Sequence, residues 1–115
     1  MAFDSPRKWE DLTPAERCRS FADELEAWEK MGAVFPDGAK WDFTRCETCA
    51  MGYAVAHGKI PDDDVKPISD WLGISRWHGG RIFIDAEYEI NKSFEDVTPS
   101  DVARLLREHA DTLDG

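Results

Sequence analysis

Apolar residues recur at three- and four-residue steps in several parts of the chain, a spacing typical of amphipathic helices. Between Pro14 and Met31 this apolar stripe consists of Cys18, Phe21, Leu25 and Trp28. The pattern predicts a first helix from Pro14 to about Met31 that ends at Gly32. Near the carboxyl end a similar stripe predicts a helix from Pro99 to about Leu113. Its apolar face consists of Val102, Leu105, Leu106, His109 and Leu113.

Three segments combine a threonine with an acidic residue three positions later, as in a helix-capping box. These segments are TPAE from Thr13, TRCE from Thr44 and TPSD from Thr98. The threonine hydroxyl accepts a backbone N–H of the first turn, and the acid suits the positive end of the helix. The middle segment predicts a further helix from Arg45 to His57. A shorter helix is predicted from Val65 to Leu72, stopped by Gly73.

Residues 74–90 support two interpretations. Apolar and polar residues alternate from position 82 to position 90, which is typical of a strand. Gly79 and Gly80 would then form the two-residue turn of a β-hairpin between ISRWH and RIFID. The alternative is one helical face formed by Ile82, Phe83, Ala86 and Ile90. Because each glycine costs a helix about 1 kcal/mol, the hairpin is favoured.

Length and composition indicate one ordered unit. The chain has 115 residues and 42% hydrophobic residues, both usual for a single globular domain. The sequence predicts an α+β, mainly α fold with about four helices and one possible hairpin. It is organised as an amino-terminal tail of residues 1–8 and a compact domain of residues 9–115. No apolar run is long enough for a membrane span, and no secretion signal is evident. Three cysteines, an odd number, favour a reducing cytoplasm over a disulfide scaffold.

The charge balance departs most from the average. The net charge is −10, and residues 61–115 carry 13 acidic and 6 basic residues. A negative field disfavours direct contact with nucleic acid or anionic lipid and favours basic protein surfaces. Ordinary solubility is the simpler interpretation of the same charge, and composition leaves both open.

Cys46 and Cys49 form a C-x-x-C pair within RCETCAMGYAVAHGKI. On the predicted helix they share a stripe with small residues, where cysteine packs as a small hydrophobe. A metal site needs four ligands, and the remaining candidates, Cys18 and three histidines, are scattered singly. A redox motif needs a preceding strand and a thioredoxin-like unit, of which the sequence shows little. Packing is therefore the favoured interpretation, with metal and thiol chemistry as alternatives.

The five tryptophans are an excess for this length. Trp28 and Trp71 lie on predicted core stripes, whereas Trp9, Trp41 and Trp77 lie near loops, where they either anchor a partner or cover core edges. His78, beside the two glycines, is interpreted as a turn residue rather than a catalytic base. On a strand, Asp85, Glu87 and Glu89 would project on one side about 6.6–6.8 Å apart, close to phosphate spacing. The predicted partner-binding residues are Asp62, Asp63, Asp64, Trp77, Asp85, Glu87, Glu89, Glu95 and Asp96.

The segments CETCAMGYA, WLGIS and DVTPSDVARLL resemble a pattern in small proteins of phages and mobile elements, over residues 44–107. GGRIFIDAEY departs from the helical middle of that pattern. Small acidic phage proteins are similar in build to anti-CRISPR inhibitors, and the resemblance transfers no functional residue. It implies a non-catalytic inhibitor, without a cofactor or metal, that occupies a basic nucleic-acid-handling surface, such as a CRISPR–Cas effector subunit in a bacterial cytoplasm. The alternatives are a small metal- or thiol-dependent enzyme built on Cys46 and Cys49, or a general acidic adaptor.

Overall fold

The computed structural model describes residues 8–114, apart from the side chains of Cys46, Phe94 and Asp114. Most of the predicted tail therefore lies outside the described residues. The described chain is a compact, mainly helical unit, and six α-helices follow one another along it. Their bounds are α1 Pro14–Lys30, α2 Ala50–Ala56, α3 Val65–Leu72, α4 Arg76–Phe83, α5 Ala86–Ile90 and α6 Pro99–Asp114. Three short 3-10 turns lie at Trp9–Asp11, Cys46–Thr48 and Phe94–Asp96.

The two longest helices, α1 and α6, pack antiparallel and provide much of the core. The carboxylate of Glu29, near the end of α1, accepts the backbone N–H of Ser100 in the first turn of α6 at 2.8 Å. Towards the other ends of the two helices, Arg19 pairs with Asp111 at 2.9 Å. The predicted α1 stripe is buried, and α6 buries a matching face. The predictions for both helices are confirmed to within one residue at each end.

Local capping chemistry explains why these helices begin where they do. Thr13 Oγ1 accepts the Glu16 N–H, and the Glu16 carboxylate accepts the Thr13 N–H, which closes a capping box. Thr98 and Asp101 make the same reciprocal pair at the start of α6. Asp101 also pairs with Lys92 at 2.7 Å. Both boxes use residues close in sequence, so the sequence alone located these starts.

Arg107 joins α6 to α1 by pairing with both Asp23 and Glu26, and its Nη1 lies 2.7 Å from Glu26 Oε2. The hydrogen bond from Arg107 lowers the pKa of Glu26. Since the ionised form is favoured in the folded state, this stability is present above the unfolded pKa, about 4.3, and is lost as pH falls further. Arg107→Met should lower the unfolding free energy by about 1 kcal/mol at pH 7, allowing for solvent screening. Urea unfolding measures this free energy, and the difference between the wild-type protein and Arg107→Met should become smaller as the pH is lowered to 3.

The same change at Arg104 is the control for that prediction. Arg104 pairs with Glu108 at 3.5 Å on the same helix, and both side chains are more than half exposed. We expect Arg104→Met to lower the unfolding free energy by less than about 0.5 kcal/mol at both pH 7 and pH 3. An Arg107→Met penalty that is equal at pH 7 and pH 3 would contradict the ion-pair explanation.

The helix predicted from Arg45 to His57 is wrong in its first turn. The α-helix begins at Ala50, and Cys46–Thr48 forms a 3-10 turn before it. Thr44 does not cap it, because its hydroxyl donates to Asp42 Oδ1 at 2.6 Å and its N–H donates to the same oxygen at 3.0 Å. These hydrogen bonds lower the pKa of Asp42. The shortened helix is attached to α1 by Tyr53, whose buried hydroxyl donates to Glu24 at 2.8 Å.

The hairpin predicted over residues 74–90 is also wrong, because this stretch forms α4 and α5. The helical alternative describes the packing: Ile82, Phe83 and Ala86 are buried, whereas Tyr88 is exposed. Within the described chain the β pairing is an isolated antiparallel bridge between Val34 and Lys40. The mainly helical class is thus confirmed, and six α-helices replace the predicted four and a hairpin. No described helix is long and apolar enough to cross a membrane.

α3 and α4 have the lengths and connection of a helix-turn-helix unit. Gly73 ends α3 in the left-handed conformation, with φ of 78°. Two residues later Ser75 caps α4 by accepting the His78 N–H at 3.2 Å. The two helices approach closely where Gly79 meets the fully buried Ser69, since a Cβ built on Gly79 would lie 2.0 Å from Ser69 Oγ. The glycine that resembled a hairpin turn is therefore a helix-packing residue.

Candidate docking surface

Four of the five tryptophans are built into the fold. Trp28 Nε1 donates to the Val34 carbonyl at 3.1 Å, and Trp41 Nε1 donates to the Val97 carbonyl at 2.7 Å. Trp9 and Trp71 stack with ring centroids 4.2 Å apart, and Trp9 Nε1 donates to the Trp71 carbonyl. Such contacts satisfy the polar end of a half-buried indole. Trp9 and Trp41 therefore cover edges of the core, which leaves Trp77 as the candidate anchor for a partner.

Trp77 belongs to an exposed apolar stripe along α4 and α5. Trp77 is 63% exposed, Ile84 is 39% exposed and Tyr88 is 79% exposed. Arg81, Ile84 and Asp85 lie between Trp77 on α4 and Tyr88 on α5, and all three are exposed. We call these five residues, Trp77, Arg81, Ile84, Asp85 and Tyr88, the docking surface. Large aromatics at this exposure are typical of residues that bind another protein.

Arg81 connects the two helices of this surface. Its guanidinium carbon lies 4.8 Å from the centre of the Trp77 ring on α4, in a cation–π arrangement. The same guanidinium forms an ion pair with Glu89 on α5, in which its Nε and Nη2 both donate to Glu89 Oε1. The aromatic ring, the cation and the carboxylate therefore form one chain of contacts across the break between α4 and α5.

A groove of about 380 Å³ runs beside the docking surface, between α4, α5 and α6. Trp77, Arg81 and Glu89 line one part of it, and Glu108 and His109 of α6 line another. His78 also lines the groove, and its ring lies 4.4 Å from that of His109. Burial lowers the pKa of His109, and the neighbouring His78 lowers it further. The lowered pKa favours the uncharged imidazole of His109. Among the described residues that line the groove, Arg81 is the one with a permanent positive charge.

His78 also contacts a hydroxyl, which raises the question of catalysis. Ser75 Oγ lies 2.7 Å from His78 Nδ1, but the same oxygen already accepts the backbone N–H of His78 as a helix cap. Within the described residues, no carboxylate hydrogen-bonds to the His78 ring. A nucleophile needs an adjacent base that is itself oriented by a third group. The Ser75–His78 contact therefore supports α4 structurally.

The three acids predicted to project from one side of a strand do not form a row, because a helix turns about 100° per residue. Asp85 is exposed at the start of α5, and its side chain makes no capping hydrogen bond. Glu87 is half-buried, and one of its oxygens is buried with no hydrogen-bond partner within the described chain. Glu89 is paired with Arg81. The phosphate-like spacing is therefore wrong, and among the described residues Asp85 is the acid of this trio that is exposed without an ion-pair partner.

The other predicted acids lie on separate segments. Asp62, Asp63 and Asp64 precede α3, where Asp64 caps the helix by accepting the Val65 N–H at 2.7 Å. Glu95 and Asp96 are exposed in the 3-10 turn before α6. The structure thus brings Trp77 and Glu89 together through Arg81. Asp85 and Glu87 lie at the start of α5, and the remaining acids contribute charge from other segments.

A larger groove of about 500 Å³ lies near α2 and includes Asp63. Three of its charged residues, Asp37, Arg45 and Glu47, are engaged with one another or with the local backbone. Arg45 and Glu47 pair at 3.1 Å, and Asp37 accepts the Ala39 N–H at 3.0 Å. Ligand sites combine an apolar lining with polar groups that converge on the ligand. Because its polar groups are engaged locally, this groove is not the candidate site.

The cysteines lie away from the docking surface. Cys18 is fully buried, and burial raises its pKa to about 11, which keeps it a thiol at neutral pH. Cys49 is also buried, as the packing interpretation requires. The Cys46 side chain lies outside the described residues. Within the described part of the chain, no group of three or more histidine, cysteine or acidic residues is arranged to hold a metal ion.

Sequence reasoning missed several residues of the candidate site: Arg81, Ile84, Tyr88, Glu108 and His109. The signal for three of them was present, because positions 77, 81, 84 and 88 follow a helical repeat. A strand assignment concealed it by placing Ile84 and Tyr88 with the inward-facing residues. Glu108 and His109 come from α6, 31 and 32 positions after Trp77, and only packing brings them near.

The chain was compared with known protein families, curated proteins and solved structures. No protein-family description, no curated protein and no solved structure matches this chain.

Proposed function

We propose that this protein is a non-catalytic binding protein that docks on a basic surface of a partner protein through the α4–α5 docking surface. The observation that supports the proposal is the exposure of Trp77, Ile84 and Tyr88, in a segment that also exposes the carboxylate of Asp85. Aromatic anchors supply the buried centre of an interface, and surrounding charges guide the encounter. The net charge of −10 complements a basic surface and repels an acidic one.

The proposed partner is a CRISPR–Cas effector subunit whose basic surface normally handles nucleic acid. The small acidic build and the resemblance to phage proteins support this choice. Asp62, Asp63, Glu95 and Asp96 add to the negative field, because none of them is paired with a lysine or arginine among residues 8–114. An inhibitor of this kind competes with nucleic acid for the partner without any chemical step.

The test is an order-of-addition assay with purified CRISPR–Cas effector complexes of several types. We expect the protein to block target cleavage when it is added before target DNA and to have little effect when it is added afterwards. Asp85→Lys should weaken inhibition at least about tenfold, because it reverses an exposed charge inside the interface. Glu10→Lys is the matched control. Glu10 is exposed in the 3-10 turn Trp9–Asp11, so this substitution changes the net charge by the same amount at a position outside the docking surface. Equal effects of the two variants would contradict this surface.

A second candidate function, duplex DNA binding, is favoured by the short helix-turn-helix connection between α3 and α4 and by the exposed Arg76 on α4. The acids Asp62, Asp63 and Asp64 oppose it, because the first helix of such a unit lies across the phosphate backbone. In a mobility-shift assay with a pool of 30-base-pair duplexes at about 150 mM salt, we expect no retained complex. Binding that Arg76→Ala abolishes would replace the protein partner with DNA.

A further inference from the structure

We propose that Trp77, Glu89 and Glu108 form a binding site for an arginine side chain of the partner, and that Arg81 occupies this site when no partner is bound. This inference rests on the proposed function and specifies the chemistry by which the basic partner is recognised. The ligand class is a guanidinium group, which is planar and permanently charged.

The contacts of Arg81 show that the site accepts a guanidinium. The Arg81 guanidinium carbon lies 4.8 Å from the centre of the Trp77 ring, and Nε and Nη2 of the same group both donate to Glu89 Oε1. A planar group whose two N–H donors converge on a carboxylate while its carbon lies close to an aromatic ring is a guanidinium, and the ammonium of lysine has no such planar set of donors. Arg81 is thus an internal stand-in for the side chain that the partner would supply.

The groove has more negative charge than Arg81 neutralises. Glu89 and Glu108 both line it, and Arg81 pairs with Glu89. Within the part of the chain that the structure describes, Glu108 pairs loosely with Arg104 at 3.5 Å, and its side chain is 62% exposed. An incoming arginine therefore finds an aromatic face, one carboxylate that Arg81 already uses and a second carboxylate that is accessible.

Arg81 is held weakly enough to be displaced. Its side chain is 45% exposed, and that of Glu89 is 30% exposed. At such exposure a cation–π contact or an ion pair each changes an equilibrium constant by less than about tenfold. A partner that buries the docking surface would strengthen the same contacts by excluding water. Arg81 would then act as a competitor that lowers the affinity for weakly matching partners.

The test is a titration with N-acetylarginine amide, followed by the NMR shift of the Trp77 indole N–H, which is assigned from its loss in Trp77→Phe. We expect Arg81→Ala to bind the amide at least about fivefold more tightly than the wild-type protein, because the competitor is removed. Arg81→Gln should behave in the same way. N-acetyllysine amide should bind several-fold more weakly than the arginine amide, since it lacks the planar fork.

Glu89→Gln in the Arg81→Ala background should weaken binding of the arginine amide, and Glu10→Gln in that background is the matched control. A flat titration of both Arg81 variants, or equal affinity in wild type and Arg81→Ala, would overturn the arginine site. That result would leave docking through the exposed aromatics intact, because the amide titration involves no partner protein. Conversely, failure to inhibit any effector would remove the proposed function without affecting this titration.

Discussion

Gly79→Ala is expected to lower the free energy of unfolding by about 2 kcal/mol, because the cost of overpacking the core, about 3 kcal/mol, exceeds the gain from alanine in a helix, about 0.5–1 kcal/mol. The new Cβ would lie 2.0 Å from Ser69 Oγ and 3.3 Å from Ser69 Cβ. Rotation of the Ser69 side chain relieves only the contact with Oγ. The contact with Ser69 Cβ remains, so α3 and α4 must move apart. Urea unfolding monitored by circular dichroism measures the change.

Gly80→Ala is the matched control, because it makes the same substitution one position later, where no atom lies within 4 Å of the new Cβ. We expect it to raise stability by about 0.5–1 kcal/mol, since alanine loses less backbone entropy in a helix. Ser69→Ala should partly rescue Gly79→Ala, because it removes the clashing oxygen. Ser69 Oγ has no hydrogen-bond partner within the described residues, so its loss alone should cost little. Equal stabilities of the two glycine variants would contradict the close crossing of α3 and α4.

Trp77→Ala is expected to weaken binding to a basic partner by about 30-fold, the loss typical of an interface anchor worth about 2 kcal/mol. The indole is mostly exposed in the isolated protein, so folding stability should change by less than about 0.5 kcal/mol. Fluorescence anisotropy with a labelled arginine-rich peptide measures the affinity, and thermal unfolding measures the stability.

Met31→Ala controls for the loss of an exposed apolar side chain outside the docking surface. Met31 is 82% exposed and follows the end of α1. We expect the Met31 variant to bind like the wild-type protein. If both variants bind equally well, Trp77 is not an interface residue, and the exposed stripe on α4 and α5 has another role.

The candidate site was only partly predictable. Trp77 was identified because it is a large aromatic outside the clear core stripes, and Asp85 because it lies in the acidic half. The contact of Arg81 with both Trp77 and Glu89 was not predictable, since it depends on residues 76–90 being helical. The strand interpretation treated the two glycines as helix breakers. In the structure, the close packing of Gly79 on Ser69 offsets the stability that a glycine costs a helix.

By itself, the sequence determined the helices whose boundaries are set by nearby residues. Thr13 with Glu16, Thr98 with Asp101, and Gly73 at the end of α3 act within one helical turn, so their effect is visible in the sequence. The negative charge is likewise a property of composition.

Only the tertiary structure decided the rest. Gly79 packs on Ser69, ten positions earlier, and the indole N–H groups of Trp9 and Trp41 donate to the carbonyls of Trp71 and Val97, whereas Trp77 stays exposed. Local propensities in these stretches are nearly balanced, so contacts between residues far apart in the chain select one conformation.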